Sequence, residues 1–153
     1  MTTAADDRAP ARLREKPSWL LTHVATQAQR LVSEGFASVG LRRYHYALLA
    51  ALDEFGPASQ AALGRRCGID RSDVVAAVNE LAAEGLVVRS QDPADRRRNV
   101  ITLTPAGLTR LESGDGALDR VQETLTEPLS EREAAELVRL LGRIWEHCSP
   151  SER

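Results

Sequence analysis

The feature that most constrains this chain of 153 residues is a change of period at Gly85. Before that glycine the apolar residues recur every three or four positions, the repeat of helices that each bury one face. Just after it, LVVRSQ and then NVITLT alternate or nearly so and are rich in β-branched residues, the repeat of strands. Between them lies DPADRRR, so the two strands form a hairpin that carries three consecutive arginines, Arg96, Arg97 and Arg98, at its tip. In a chain of net charge -2 such a run on a solvated surface is normally paired or dispersed, because adjacent like charges repel. The tip therefore points to a polyanion opposite it.

The segment ahead of the hairpin explains what presents that tip. SQAALGRRCGID reads as a short helix capped by Ser59 and followed by a turn at Gly68. DRSDVVAAVNELAAEG then opens a second helix, capped by Asp70 and closed at Gly85. Two short helices joined by a tight glycine turn make a helix-turn-helix, and a hairpin directly after it is a wing. Ala61, Ala62, Leu63, Ile69, Val74, Val78 and Leu81 are the expected small core of the pair, with Arg71, Ser72, Asp73 and Asn79 outside.

On either side the chain reads as helix. Residues 1–17, with Pro10 and Pro17, are expected to be a flexible arm, and residues 18–153 a single domain. A first helix is expected from a Ser18 cap, weakening at Gly35 and Gly40; a second, LRRYHYALLAALDEF, buries Tyr46, Leu49, Leu52 and Phe55 and stops at Gly56-Pro57. After the wing, a helix starts at a Thr104 cap with Pro105 as its first residue, and Gly107, Gly114 and Gly116 suggest a bend near Gly114. A last helix opens on the capping box of Ser130 and Glu133. The fold expected is mainly α with a small β-wing.

Several function classes recede on composition. No run approaches the roughly 20 apolar residues of a membrane span, and the N-terminus lacks an apolar signal core, which leads to the expectation of a cytoplasmic protein with no membrane partner. Cys67 and Cys148 lie far apart without metal-ligand spacing, so buried free thiols are expected, and neither a metal nor a cofactor. No nucleophile and base, paired carboxylates or phosphate loop is visible, and His147 beside Cys148 points about 100° away from it on a helix, so no enzyme is expected.

The order of these elements, with the G-L-V-V-R strand, the D-P-x-D-R-R wing and the L-T-x-x-G that follows, resembles the MarR family of winged-helix transcription regulators over about residues 41–107. The resemblance implies a homodimer in which helices at about 18–39 and 108–148 interleave and two winged lobes read a pseudo-palindrome in double-stranded DNA, usually as a repressor. The residues agree with a dimer: Trp19, Leu20, Leu118, Val121, Leu125, Leu137, Leu140, Leu141, Ile144 and Trp145 leave apolar faces that one chain struggles to cover.

Roles follow for the DNA-binding residues. Arg71 begins the recognition helix and suits guanine O6 and N7; Ser72, Val75 and Asn79 share or adjoin its face, with Asn79 either serving adenine or a phosphate or remaining a surface amide. The resemblance places Arg97 in the minor groove, with Asp95 orienting it. Arg96 and Arg98 are left for phosphates or for pairing with Asp92. Ser59 and Gln60, at the first short helix, face a phosphate, whereas Arg65 and Arg66 are either contacts or a solvated face. Family members often hold a phenolic or aromatic acid where dimer helices meet the lobe, and Trp19, His23, Arg42, Arg43, Tyr44 and His45 are this chain's candidates for a small aromatic or anionic effector, although His23 and His45 read first as core histidines satisfied by a neighbouring carbonyl. Cys67 reads as a small core residue, and the alternative, a redox role, rests on the neighbouring arginines lowering its pKa. The rival reading is a winged helix that binds protein without specific DNA binding, which has no need of Arg97.

Overall fold

The computed structural model describes residues 9–149. Seven helices and a hairpin follow one another: α1 (Ala11–Arg14), α2 (Pro17–Ala37), α3 (Arg43–Phe55), α4 (Gln60–Cys67), α5 (Arg71–Ala83), β1 (Val87–Gln91), β2 (Asn99–Leu103), α6 (Pro105–Thr126) and α7 (Glu131–Cys148). The architecture is mainly α with a two-stranded wing. Part of the arm expected over 1–17 lies outside the described residues, and within the rest Ala11–Arg14 coil into one helical turn. The cap expected at Ser18 sits at Lys16 instead, with Pro17 as the first helical residue. Proline fills that place because its fixed φ suits the first turn and it has no N–H to satisfy.

The core lies where α3, α4 and α5 meet the wing. Leu48, Leu49, Leu63, Val74, Val78, Leu81, Val87 and Ile101 are all buried there. Two expected members are not: Ala61 is exposed because α4 turns Leu63 inward, and Phe55 is 56% exposed at the last position of α3. Its ring instead underlies the Arg66 guanidinium at 4.7 Å, a cation–π contact that uses the aromatic face without burying it.

The wing pairs antiparallel from Val87↔Leu103 to Gln91↔Asn99. A third strand-like contact holds its inner edge: Ala58 and Ile101 exchange backbone hydrogen bonds of 3.1 and 2.8 Å, so the residue just ahead of α4 is tied to β2. Helix-turn-helix and wing are thereby one rigid piece.

Helix α6 runs unbroken through the glycines, and the bend expected at Gly114 is not there. Gly114 is buried against α3, where an added Cβ would stand 2.8 Å from both Leu41 and Tyr46 side chains, so the glycine permits close helix packing. Val121 also turns inward, onto α2 beside Gly35, and does not belong to the uncovered apolar set. That set is carried by α7 and the first half of α2. Among the described residues α7 buries none, yet Ala134, Leu137, Val138, Leu141, Ile144, Trp145 and Cys148 recur at three- and four-residue spacing along one face. Trp145 is 74% and Val138 72% exposed, a face without a counterpart in the single chain. No helix among the described residues is long and apolar enough to cross a membrane.

Candidate nucleic-acid interface

The helix-turn-helix is built by local rules. Ser59 caps α4 as expected, its hydroxyl accepting from the Ala62 N–H at 3.2 Å. Gly68 closes α4 in the left-handed region at φ 63°, the conformation that favours glycine, and lets α5 leave at an angle. Asp70 stands at the cap position of α5, but its carboxylate makes no capping hydrogen bond. Val74, Val78 and Leu81 face the core, which turns Arg71, Ser72, Val75 and Asn79 outward, as expected for one exposed face. Asn79 is not a free amide: its Oδ1 accepts from the Arg89 guanidinium on β1, linking helix to wing.

Turn chemistry orders the wing tip. The Asp92 carboxylate accepts from the Ala94 N–H at 2.9 Å, and that of Asp95 from the Arg97 N–H at 3.0 Å. The Asp95 carboxylate also stands 3.7 Å from Arg98 Nε and 4.0 Å from Arg97 Nε. Arg98 thus pairs with Asp95 and not with Asp92, which is occupied in shaping the turn. The Arg97 side chain stays 96% exposed and Arg96 is also exposed, so the arginines project from a fixed loop. Between tip and helix runs an open groove of about 1020 Å³ lined by Ser59, Gln60, Arg71, Val75, Arg98 and Asn99, among others. The first α4 turn, the first two α5 turns and the tip end of β2 share this concavity.

Two further clusters, invisible in the sequence pattern, fix the angle of α5. His45, buried on α3, donates from Nε2 to Glu80 Oε2 at 2.6 Å, and Arg42 reaches the same carboxylate at 3.4 Å. One turn on, Arg110 of α6 donates to Glu84 at 3.1 Å and to the Gly40 carbonyl at 3.0 Å. Neither pair is marked by spacing, because the partners are 35 and 26 positions apart.

The sequence profile of the MarR family matches residues 39–98, from the loop ahead of α3 to the last wing arginine. A Pseudomonas aeruginosa protein described as a transcriptional regulator is 34% identical, with 87% of this chain and 99% of that one superposed at a TM-score of 0.77. The chain belongs to the MarR family. Among curated relatives, a protein assigned to transcriptional regulation of the hcr operon in Thauera aromatica is 35% identical over 104 residues, 68% of this chain. This chain spans only 63% of that relative's length. The transcriptional repressor NicR of Pseudomonas putida is 26% identical over 94% of this chain and 90% of its own. The structure of Bordetella bronchiseptica BpsR, whose DNA binding is regulated by 6-hydroxynicotinic acid, is 25% identical and matches 89% of this chain and 97% of its own at a TM-score of 0.76.

Of the effector candidates, Arg43 and Tyr44 come together at a cavity of about 340 Å³ that Gln29 and Ser33 of α2 complete. The latter two were missed because nothing in sequence distinguishes them from other polar residues of α2. Trp19 and His23 stack on one another at 3.8 Å, and His23 Nδ1 donates to the Trp19 carbonyl at 2.8 Å, outside this cavity. His45 is turned to Glu80. For Cys67, burial pushes the thiol pKa up and outweighs the opposing effect of Arg66, as suits a small residue packed against the core and not a redox thiol. Its Sγ donates to the Ala47 carbonyl at 3.5 Å, the setting of a packed thiol.

Proposed function

We propose that this MarR-family protein is a cytoplasmic, homodimeric regulator that binds double-stranded DNA in a sequence-specific manner and acts by binding, not catalysis. The observation that carries this reading is one open groove lined by Arg71 and Val75 of α5 and by Arg98 of the wing, with Ser72, Arg96 and Arg97 exposed next to them in the chain. A rigid helix flanked by a projecting arginine loop is the shape that places the helix in the major groove and Arg97 in the neighbouring minor groove. Ser59 and Gln60 then face a phosphate at the start of α4. Two copies that cover the apolar faces of α2 and α7 bring two such lobes to half-sites about 34 Å apart. Net charge -2 does not oppose this, because the field that DNA meets is local.

Repression is the direction supported by the relative NicR, since an occupied operator excludes other proteins from the same DNA. Release by a small aromatic acid is supported by the cavity at Arg43 and Tyr44, where a guanidinium suits a carboxylate and a phenol ring offers a stacking face. BpsR supplies a precedent for such a ligand.

The test is to measure binding of the full chain to its own upstream intergenic DNA at two salt concentrations, with Arg97→Ala alongside. Tight, salt-sensitive binding that the variant loses is the expected result. Equal, weak binding of both proteins to any DNA would favour a winged helix that docks on protein.

A further inference from the structure

The outward face of α5 carries chemistry that bears on which bases it reads, and the following inference rests on the DNA-binding reading above. Arg71, Val75 and Asn79 stand at four-residue intervals and form one row along the helix. The middle member is an aliphatic side chain 38% exposed, on the groove rim and flanked by the exposed Ala76. The same helix has Val74 and Val78 1% exposed, so Val75 is not part of the internal packing. A β-branched residue also adds nothing to helix propensity at a solvent-facing position. Among the groups that base pairs display in the major groove, the apolar one is the C5-methyl of thymine.

The third member of the row has its recognition chemistry engaged elsewhere. Reading adenine in the bidentate manner requires the Asn79 amide oxygen to accept from the adenine N6 amine while the amide nitrogen donates to N7. That oxygen already accepts from Arg89 on the wing strand. The oxygen keeps a second lone pair, but its direction is set by the Arg89 guanidinium on the wing strand, which ties Asn79 to the wing before it can serve a base.

We propose that Val75 is a specificity-determining residue that reads a thymine methyl group beside a guanine read by Arg71, and that Asn79 is a positioning residue which Arg89 holds as a brace between α5 and the wing. Four residues of helix rise about 6 Å. That is roughly two base-pair steps at 3.4 Å each, so the guanine and the thymine lie within about two base pairs in each half-site.

The experiment is selection of binding sites from a random duplex library with the full chain. Binding is then measured to the selected site and to copies in which single thymines are replaced by deoxyuracil, which removes only the methyl group. One such replacement is expected to weaken the wild-type protein about fourfold, the loss of one buried methyl-sized contact. Val75→Ala is expected to be nearly indifferent to that replacement, and Asn79→Ala to weaken all sequences by one common factor while selecting the same motif. A selected site at which no thymine replacement matters, or a Val75→Ala protein that keeps full sensitivity, overturns the assignment of Val75 and leaves the DNA-binding reading standing. An Asn79→Ala protein that loses preference at one adenine overturns the brace. Failure to enrich any sequence overturns the proposal together with the reading on which it rests.

Discussion

Alanine in place of Gly107 and of Gly116, two glycines of the same helix, is expected to move stability in opposite directions. Glycine inside a helix costs about 1 kcal/mol relative to alanine, so either exchange gains on propensity alone. At Gly107, however, an added Cβ would lie 2.1 Å from the Leu86 carbonyl oxygen and 2.7 Å from Leu103 Cδ1. Leucine can shift its side chain, but the Leu86 carbonyl is backbone and also accepts the Thr104 N–H at 3.1 Å. Relief requires moving the start of α6 off the base of the wing, at the upper end of overpacking costs, about 3 kcal/mol. Less the propensity gain, Gly107→Ala should lose about 2 kcal/mol, which lowers Tm by about 4–8 °C in a domain of this size. At Gly116 the nearest atom is the far end of the Arg120 side chain at 3.7 Å, so Gly116→Ala should gain about 0.5–1 kcal/mol. Urea denaturation of both variants at one fixed protein concentration makes the comparison, because self-association makes stability concentration-dependent. If Gly107→Ala matched wild type within 0.5 kcal/mol, or if both variants lost stability equally, the close approach of α6 to Leu86 would not be what demands the glycine.

The wild type should sediment at twice the chain mass of 16.7 kDa, and charge placed in the α7 stripe, as in Leu141→Glu, should reduce this to the single-chain mass while the helical circular dichroism is retained. Tyr46 has its pKa pushed up to about 12 by burial and by its hydrogen bond to Asp115, above the ordinary 10.0. Its stabilising contribution is therefore whole below pH 10 and is lost as pH rises through about 12, and Tyr46→Phe should remove a phenolate absorbance step near pH 12. Cys67 is half-buried with a raised pKa, so in Cys148→Ser, where it is the one thiol left, a thiol reagent should react slowly and faster only as the pH is raised.

The parts of the fold legible in the sequence are those set by groups within a few residues of one another. The caps at Ser59, Thr104 and Ser130, the left-handed turn at Gly68 and the alternation of the wing all act over four residues or fewer, and each stands where its local chemistry places it. Asp70 shows the limit even there, since an acceptor in the cap position does not have to make the bond. What escaped the sequence is pairing across the chain. The Ala58–Ile101 bridge, the Arg89–Asn79 brace and the His45–Glu80 bond each join elements whose separation no period encodes. Phe55 and Ala61 fit the apolar pattern yet lie beyond the packed interface, because a period gives a face but not the length over which a neighbour covers it. For the candidate interface, the wing arginines and the start of α5 were readable from charge and order, whereas Gln29 and Ser33 join Arg43 and Tyr44 only through the packing of α2 on α3.

The most direct test of the central claim is the salt dependence of DNA binding by the full chain and by Arg97→Ala, on upstream intergenic duplex. The account predicts that log affinity falls linearly with log salt concentration, and that Arg97→Ala binds more weakly with a slope shallower by about one. Affinity and slope unchanged in Arg97→Ala would contradict it, since the wing tip would then lie away from the DNA.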